Sequence, residues 1–241
     1  MRGIFVYGLL FFTALRAVGQ DAPGTVELLD GGFASIHGGF HVTFEFSNMA
    51  IPTRVPQPGP RTIHPPGWAL VPEGQWSGAS GAKAQVELCC LKQQVGLSEI
   101  ILAVARIRLN NPTDHPFNTT LAVAIGPEGA IHALAFEKHA FFREGRPVLV
   151  ADTPSRGAIL AESPFASRPL TPQDQAHVES VKGECRGEMF YDLVLAPGRT
   201  QTLGFICPLL LPSGVEPNLD FYRGLSVDDL FAQAQKAAAS R

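Results

Sequence analysis

Apolar and polar positions alternate singly over long stretches of this chain, the period of a strand with one buried face. Residues 41–46 are the cleanest case: Val42, Phe44 and Phe46 fall on one side, His41, Thr43 and Glu45 on the other. Residues 84–92 and 99–109 give the strongest strand signals. In the second, Ile101, Ala103, Ala105, Ile107 and Leu109 oppose Leu102, Val104, Arg106 and Arg108. That pattern predicts a strand buried on both faces at its start and solvated at its arginine end, with Glu87 or Glu99 as cross-strand partners for the arginines. Shorter strands are predicted over 25–29, 121–125, 131–136, 148–150 and 157–161. Turn residues at Gly31-Gly32, Asn110 to Asp114, Gly126 to Gly129 and Glu144-Gly145-Arg146 separate them. Turn signals recur every ~8–15 residues, the cadence of a sandwich of antiparallel sheets rather than of βαβ units.

Near the end, residues 189–211 read as a β-hairpin: two runs of strand formers joined by Ala196-Pro197-Gly198. Two helices are predicted. Thr171 as N-cap, Pro172 at the first helical position and Gly183 beyond the end mark a short internal helix over 172–182. Ser226 with Asp229 opens a terminal helix over 227–239, whose Leu230, Phe231, Ala234 and Ala238 form a narrow apolar stripe. Between residues 49 and 81 seven prolines interrupt any ladder, which predicts a long, semi-rigid loop with extended pieces. The fold class expected is all-β, a large two-sheet antiparallel sandwich with a short internal helix and a C-terminal linker helix.

Composition narrows the function classes. A net charge of -3 with 17% charged residues leaves no basic footprint for nucleic acid. Arg2, the apolar run over 4–15 and Ala17-Val18-Gly19 read as a cleaved secretory signal, residues 1–19, with no membrane association expected after cleavage. The sandwich is expected over 20–215 and the linker and helix over 216–241. A secreted or periplasmic location permits disulfides. Cys89 and Cys90 are strand neighbours with side chains on opposite faces, so one of them could pair with Cys185 or Cys207, and buried free thiols fit equally well. No Cys/His spacing suits a metal and no motif calls for a cofactor, so none is expected.

The two tryptophans, Trp68 and Trp76, both fall in the proline-rich stretch. Aromatic rings on a stiff loop can stack on the C–H faces of sugars, which makes them the candidate carbohydrate-binding residues; the alternative is that they fold back over an open sandwich edge. Glycoside hydrolysis needs two carboxylates about 5–10 Å apart on a cleft, a separation that Glu137 with Glu144, or Asp152 with Glu162, could meet by chance. No residue is singled out as catalytic.

Arg106-Ile107-Arg108-Leu109-Asn110-Asn111-Pro112 followed by a strand, together with residues 142–151 and YDLVLAPGRTQTL over 191–203, resembles the N-terminal super-sandwich (galactose-mutarotase-like) domain of bacterial six-hairpin glycosidase-like proteins. In that architecture the sandwich is followed by a linker helix, matched here by 226–241, and by an (α/α)6 barrel that bears the catalytic carboxylates. The resemblance implies a secreted, non-catalytic module whose partners are carbohydrate and a helical-barrel domain or subunit. A terminal helix with Leu230, Phe231 and Ala234 in solvent would point to such a partner. An alternative is a stand-alone mutarotase-like enzyme acting on sugars. Such sandwiches use a His and a carboxylate, and His132 or His139 with Glu137, or His41 with Glu45, are the nearest pairs. A third reading is a structural cell-envelope protein.

Overall fold

The computed structural model describes residues 24–35, 37–50, 62–162, 171–212, 214–215 and 217–240, with side chains omitted at 70 and 72–74. The predicted signal segment lies outside the described residues. Early strands are β1 (Val26–Leu29), β2 (Gly32–Ser35), β3 (Phe40–Phe46), β4 (Met49–Ala50), β5 (Thr62–Ile63) and β6 (Gly67–Gly78). Two long strands follow, β7 (Lys83–Val95) and β8 (Ser98–Asn110), then β9 (Phe117–Pro127), β10 (Ala133–Glu137), β11 (Ala140–Arg143) and β12 (Arg146–Ala151). The last four are β13 (Gly157–Ala161), β14 (Ala176–Glu179), β15 (Arg186–Leu195) and β16 (Thr200–Leu210), and two helices close the chain, α1 (Leu219–Arg223) and α2 (Val227–Ala239).

The strands form two antiparallel sheets, as the alternation predicts. One has seven strands in the order β13-β15-β9-β3-β2-β1-β5, the other nine in the order β14-β10-β11-β12-β16-β8-β7-β6-β4. Side chains from the facing surfaces fill the space between them: Phe33, Phe40, Phe44, Leu88, Ile107 and Phe205 are all fully or nearly fully buried. Phe205 sits 5.8 Å, centroid to centroid, from both Phe44 and Tyr191. Each large ring buried this way contributes roughly 2–3 kcal/mol of apolar transfer.

The outer surfaces of the two sheets differ. On β8 the residues from Ile100 to Ile107 are all buried, because Ile100, Leu102 and Val104 face a second apolar cluster with Leu230, Phe231 and Ala234 of α2 and Tyr222 of α1. Helix α2 begins where predicted: Ser226 accepts the Asp229 amide through its side chain, satisfying one of the free N–H groups of the first turn. Leu230, Phe231 and Ala234 of its stripe cover the larger sheet and Ala238 alone of the four is exposed, so the solvent-facing stripe that would call for a barrel partner is not observed. Gly204 of β16 makes the close approach possible, since a Cβ there would lie 2.4 Å from Val227 Cγ2.

Three sequence expectations are corrected. The 189–211 segment is not a hairpin: β15 lies in the seven-stranded sheet and β16 in the nine-stranded sheet, so the turn at 196–199 crosses between layers. The segment 172–182 holds no helix. It contains β14, which pairs with β10, turns Ala176 and Val178 toward the core and leaves His177 and Glu179 exposed, a period of two that outweighs the capping residues. The supposed loop over 49–81 contains the twelve-residue strand β6. Pro72 falls inside a break in its ladder with β7, between Leu70 and Gln75, where a missing N–H costs no hydrogen bond.

Candidate functional site

The break in β6 decides the fate of the tryptophans. Trp68 pairs in register with Cys89 and Trp76 with Ala84, and these two β7 residues point to opposite faces of the sheet. Trp76 is 3% exposed and packs edge-on against Phe46 at 5.3 Å in the sandwich interior. Trp68 is 42% exposed on the helix-bearing side. The two rings cannot form one platform; only Trp68 is available to a ligand.

The histidine pairs also sort differently from expectation. His132 donates from Nδ1 to the Ser180 carbonyl at 3.1 Å, and His139 Nδ1 accepts the Ser155 amide at 3.2 Å, so neither is bound to Glu137. His41 and Glu45 do share a strand face, but His41 Nδ1 bonds Glu128 Oε1 at 2.9 Å. Of the carboxylate pairs, Asp152 accepts from the Gly204 amide and the Thr153 hydroxyl, and Glu162 from Ser180.

What the fold does assemble, among the described residues, is a strip of small residues between larger polar ones on the outer face of the seven-stranded sheet, a shallow groove by the register of its strands. Strand β9 runs along its floor. Leu121, Val123 and Ile125 point into the core, which sends Ala122, Ala124 and Gly126 outward. The flanking strands supply the walls. Ala122 is paired with Glu45 on one side and Phe190 on the other, and Ala124 with Thr43 and Glu188. His41 lies opposite Gly126, with Arg186 at the end of β15 alongside. Two strand spacings separate the walls, so the groove is about 10 Å across at the backbone and about 14 Å long over the floor residues.

Gly126 sets the geometry of one end. A Cβ at this position would lie 2.7 Å from His41 Nε2 and 3.3 Å from Arg186 Nη1, so the imidazole and the guanidinium converge over bare backbone. Arg186 Nε is a buried donor with no protein partner, an uncompensated group of the kind a ligand oxygen would satisfy. Glu128 fixes the imidazole through Nδ1, which leaves Nε2 over Gly126. Midway along, burial and then the negative charge of Glu45 push the Glu188 carboxyl above its ordinary value. Phe190 offers a ring at the far end with the Arg156 guanidinium 5.7 Å from its centroid. Arg156 in turn pairs with Asp192 at 3.1 Å.

Arg186, Glu188 and Phe190 carry no sequence signal of their own, because they are merely the outward half of an alternating strand. The signal that could have found them is the run of small residues on the outward half of β9, which leaves room above the sheet only if its neighbours carry large polar groups. Comparison with known protein families and with curated proteins returns no match for this chain.

Proposed function

We propose that this protein is a secreted, carbohydrate-associated β-sandwich module of the kind found ahead of the barrel in six-hairpin glycosidase-like proteins, and that it holds sugar in the β9 groove. The observation that carries this reading is the groove itself: a floor of Ala122, Ala124 and Gly126 between walls that alternate hydrogen-bonding groups with one aromatic ring. Saccharides demand that combination. Their hydroxyls need charged or amide partners in fixed positions, and their apolar faces stack on a ring. Small floor residues let the ligand approach the sheet.

The reading is non-catalytic, with the chemistry of such proteins residing on a barrel. The test is glycan-array retention of the protein against His41→Ala/Phe190→Ala and Trp68→Ala variants. Retention lost in the double variant and kept in Trp68→Ala supports the groove; the reverse result transfers binding to the helix-bearing side and overturns it.

A second reading has its own support in the 2.9 Å His41–Glu128 contact. A carboxylate-oriented imidazole is equipped to take a proton from a sugar's anomeric hydroxyl, and a carboxyl held above its ordinary value, as Glu188 is, suits the acid that protonates the ring oxygen. This is the mutarotase-like alternative. Polarimetry of freshly dissolved aldohexose decides it: acceleration by the protein that disappears in His41→Gln supports it, and the uncatalysed rate with wild-type protein removes it.

A further inference from the structure

On the helix-bearing side of the sandwich, the β10–β11 turn, the segment after β12 and the end of α1 border a shallow, open cleft of ≈ 360 Å³. That is within the size range of small-molecule sites, about 300–1,000 Å³. Lys138, His139, Asp152, Thr153 and Arg223 line it. The turn is a two-residue connection in which both Lys138 and His139 have positive φ, 47° and 57°, without a glycine. Such turns ordinarily use Asn-Gly, and non-glycine residues there are strained. The strain is held in place from outside: Arg223 Nη2 donates to the Lys138 carbonyl, and the Ser155 amide donates to His139 Nδ1 at 3.2 Å. The second bond also keeps the His139 proton on Nε2.

The charges in this cleft are not matched to one another. Among the described residues Lys138 and Arg223 form no ion pair, and Asp152 accepts the Gly204 amide and the Thr153 hydroxyl through Oδ1 alone, at 2.9 Å and 2.8 Å, rather than pairing with a cation. Lys138 and Arg223 are exposed and offer two adjacent charge-assisted donors to an anionic group, and a fixed carboxylate beside them disfavours a dianion such as phosphate while accepting hydroxyl donors. We propose that this cleft binds an acidic sugar, its carboxylate held by Lys138 and Arg223 and a ring hydroxyl donated to Asp152. The site lies on the other side of the sandwich from the β9 groove and is independent of it.

The experiment is an amide-resolved NMR titration of the ¹⁵N-labelled protein with galacturonate, galactose, acetate and inorganic phosphate. Galacturonate is expected to shift the amides of 138–139, 152–155 and 223, galactose to leave them unmoved, and acetate and phosphate to bind more weakly than galacturonate. Lys138→Asn, which tolerates positive φ, and Arg223→Gln should each weaken galacturonate about tenfold, the loss of one charge-assisted bond. Spectra that overlay wild type outside the cleft establish that each variant is folded. The proposal is overturned by galacturonate leaving these amides unshifted, by unchanged affinity in both variants, or by acetate or phosphate binding as tightly. Shifts at 41, 45, 126 and 186–190 report the groove separately, so failure of one site is distinguishable from failure of the other.

Discussion

Asn111 shows how one side chain can hold the two layers in register. It is fully buried, and its amide nitrogen donates to the carbonyl of His115 at 2.8 Å and to those of Leu195 and Ala196 at 3.2 and 3.3 Å. Its oxygen accepts from the Thr113 hydroxyl at 2.7 Å. These groups belong to two of the connections that cross between sheets, β8 to β9 and β15 to β16. Asn111→Ala should therefore cost about 3 kcal/mol in a denaturant melt, because buried carbonyls lose their donor as well as the bond.

The four cysteines are all free and buried. Burial pushes the Cys89 thiol up to about 12 and raises Cys90 and Cys207 too, so the thiolate that reacts is suppressed. A disulfide-exchange reagent at pH 8 should find no fast thiol in the native protein and four on unfolding. Rapid native labelling would refute this. Glu188 makes a pH prediction with a definite sign. Its folded value is raised, so the folded state binds more protons than the unfolded chain between the ordinary carboxylate range and that raised value, and stability falls as pH rises through the window. Glu188→Gln should then be more stable than wild type at pH 7, with the gain vanishing below about pH 4, where unfolded-state glutamate takes up its proton.

At the level of elements, strand existence was legible and layer assignment was not. β3 appears with the faces read from its alternation, and α2 with the cap read from Ser226 and Asp229, because those signals are local. Of the two arginines at the end of β8 only Arg108 is solvated, since Arg106 is buried beneath α2, which the strand's own pattern does not encode. The β15–β16 connection failed because its turn chemistry is the same for a hairpin as for an arch. The clue lay in the strands: β15 alternates buried and exposed, fitting a sheet open on one side, whereas Leu203 to Leu209 of β16 is buried without interruption, fitting a sheet covered on both. The groove was illegible for a related reason, since its walls come from strands far apart in sequence.

Helix α2 is fixed to its sheet by one buried cation. Arg106, 5% exposed, donates to Glu87 at 2.9 Å and to Asp228 at 2.7 Å, and its guanidinium lies 4.1 Å from the Phe231 ring centroid. Asp228 is largely exposed, and its loss should cost about 1 kcal/mol or less. Arg106→Ala leaves the buried Glu87 with only the longer 3.5 Å contact to Arg108 and should cost about 3 kcal/mol. Near-equal chemical-denaturation midpoints for the two variants would show that the buried pair is not what matters.

Across the whole molecule the two sheets reach water in opposite ways, and that asymmetry has a measurable consequence. The outer face of the nine-stranded sheet presents Ile100, Leu102, Val104 and Ile206, which are dry only because α1 and α2 lie over them. The outer face of the seven-stranded sheet presents Ala122, Ala124, Glu45, Arg186 and Glu188 and needs no cover. Removing residues 226–241 should leave the strands formed but uncover the first face, an apolar patch of the size that drives association. The shortened protein should bind a hydrophobic dye and self-associate in sedimentation experiments while keeping its β-sheet circular dichroism. Substitutions that merely remove charge from the groove, such as Arg186→Gln, should leave the protein monodisperse. If the shortened protein stays monodisperse and dye-free, the helix is an accessory rather than the cover of a second core. The groove would then no longer be distinguished as the one face built to meet solvent.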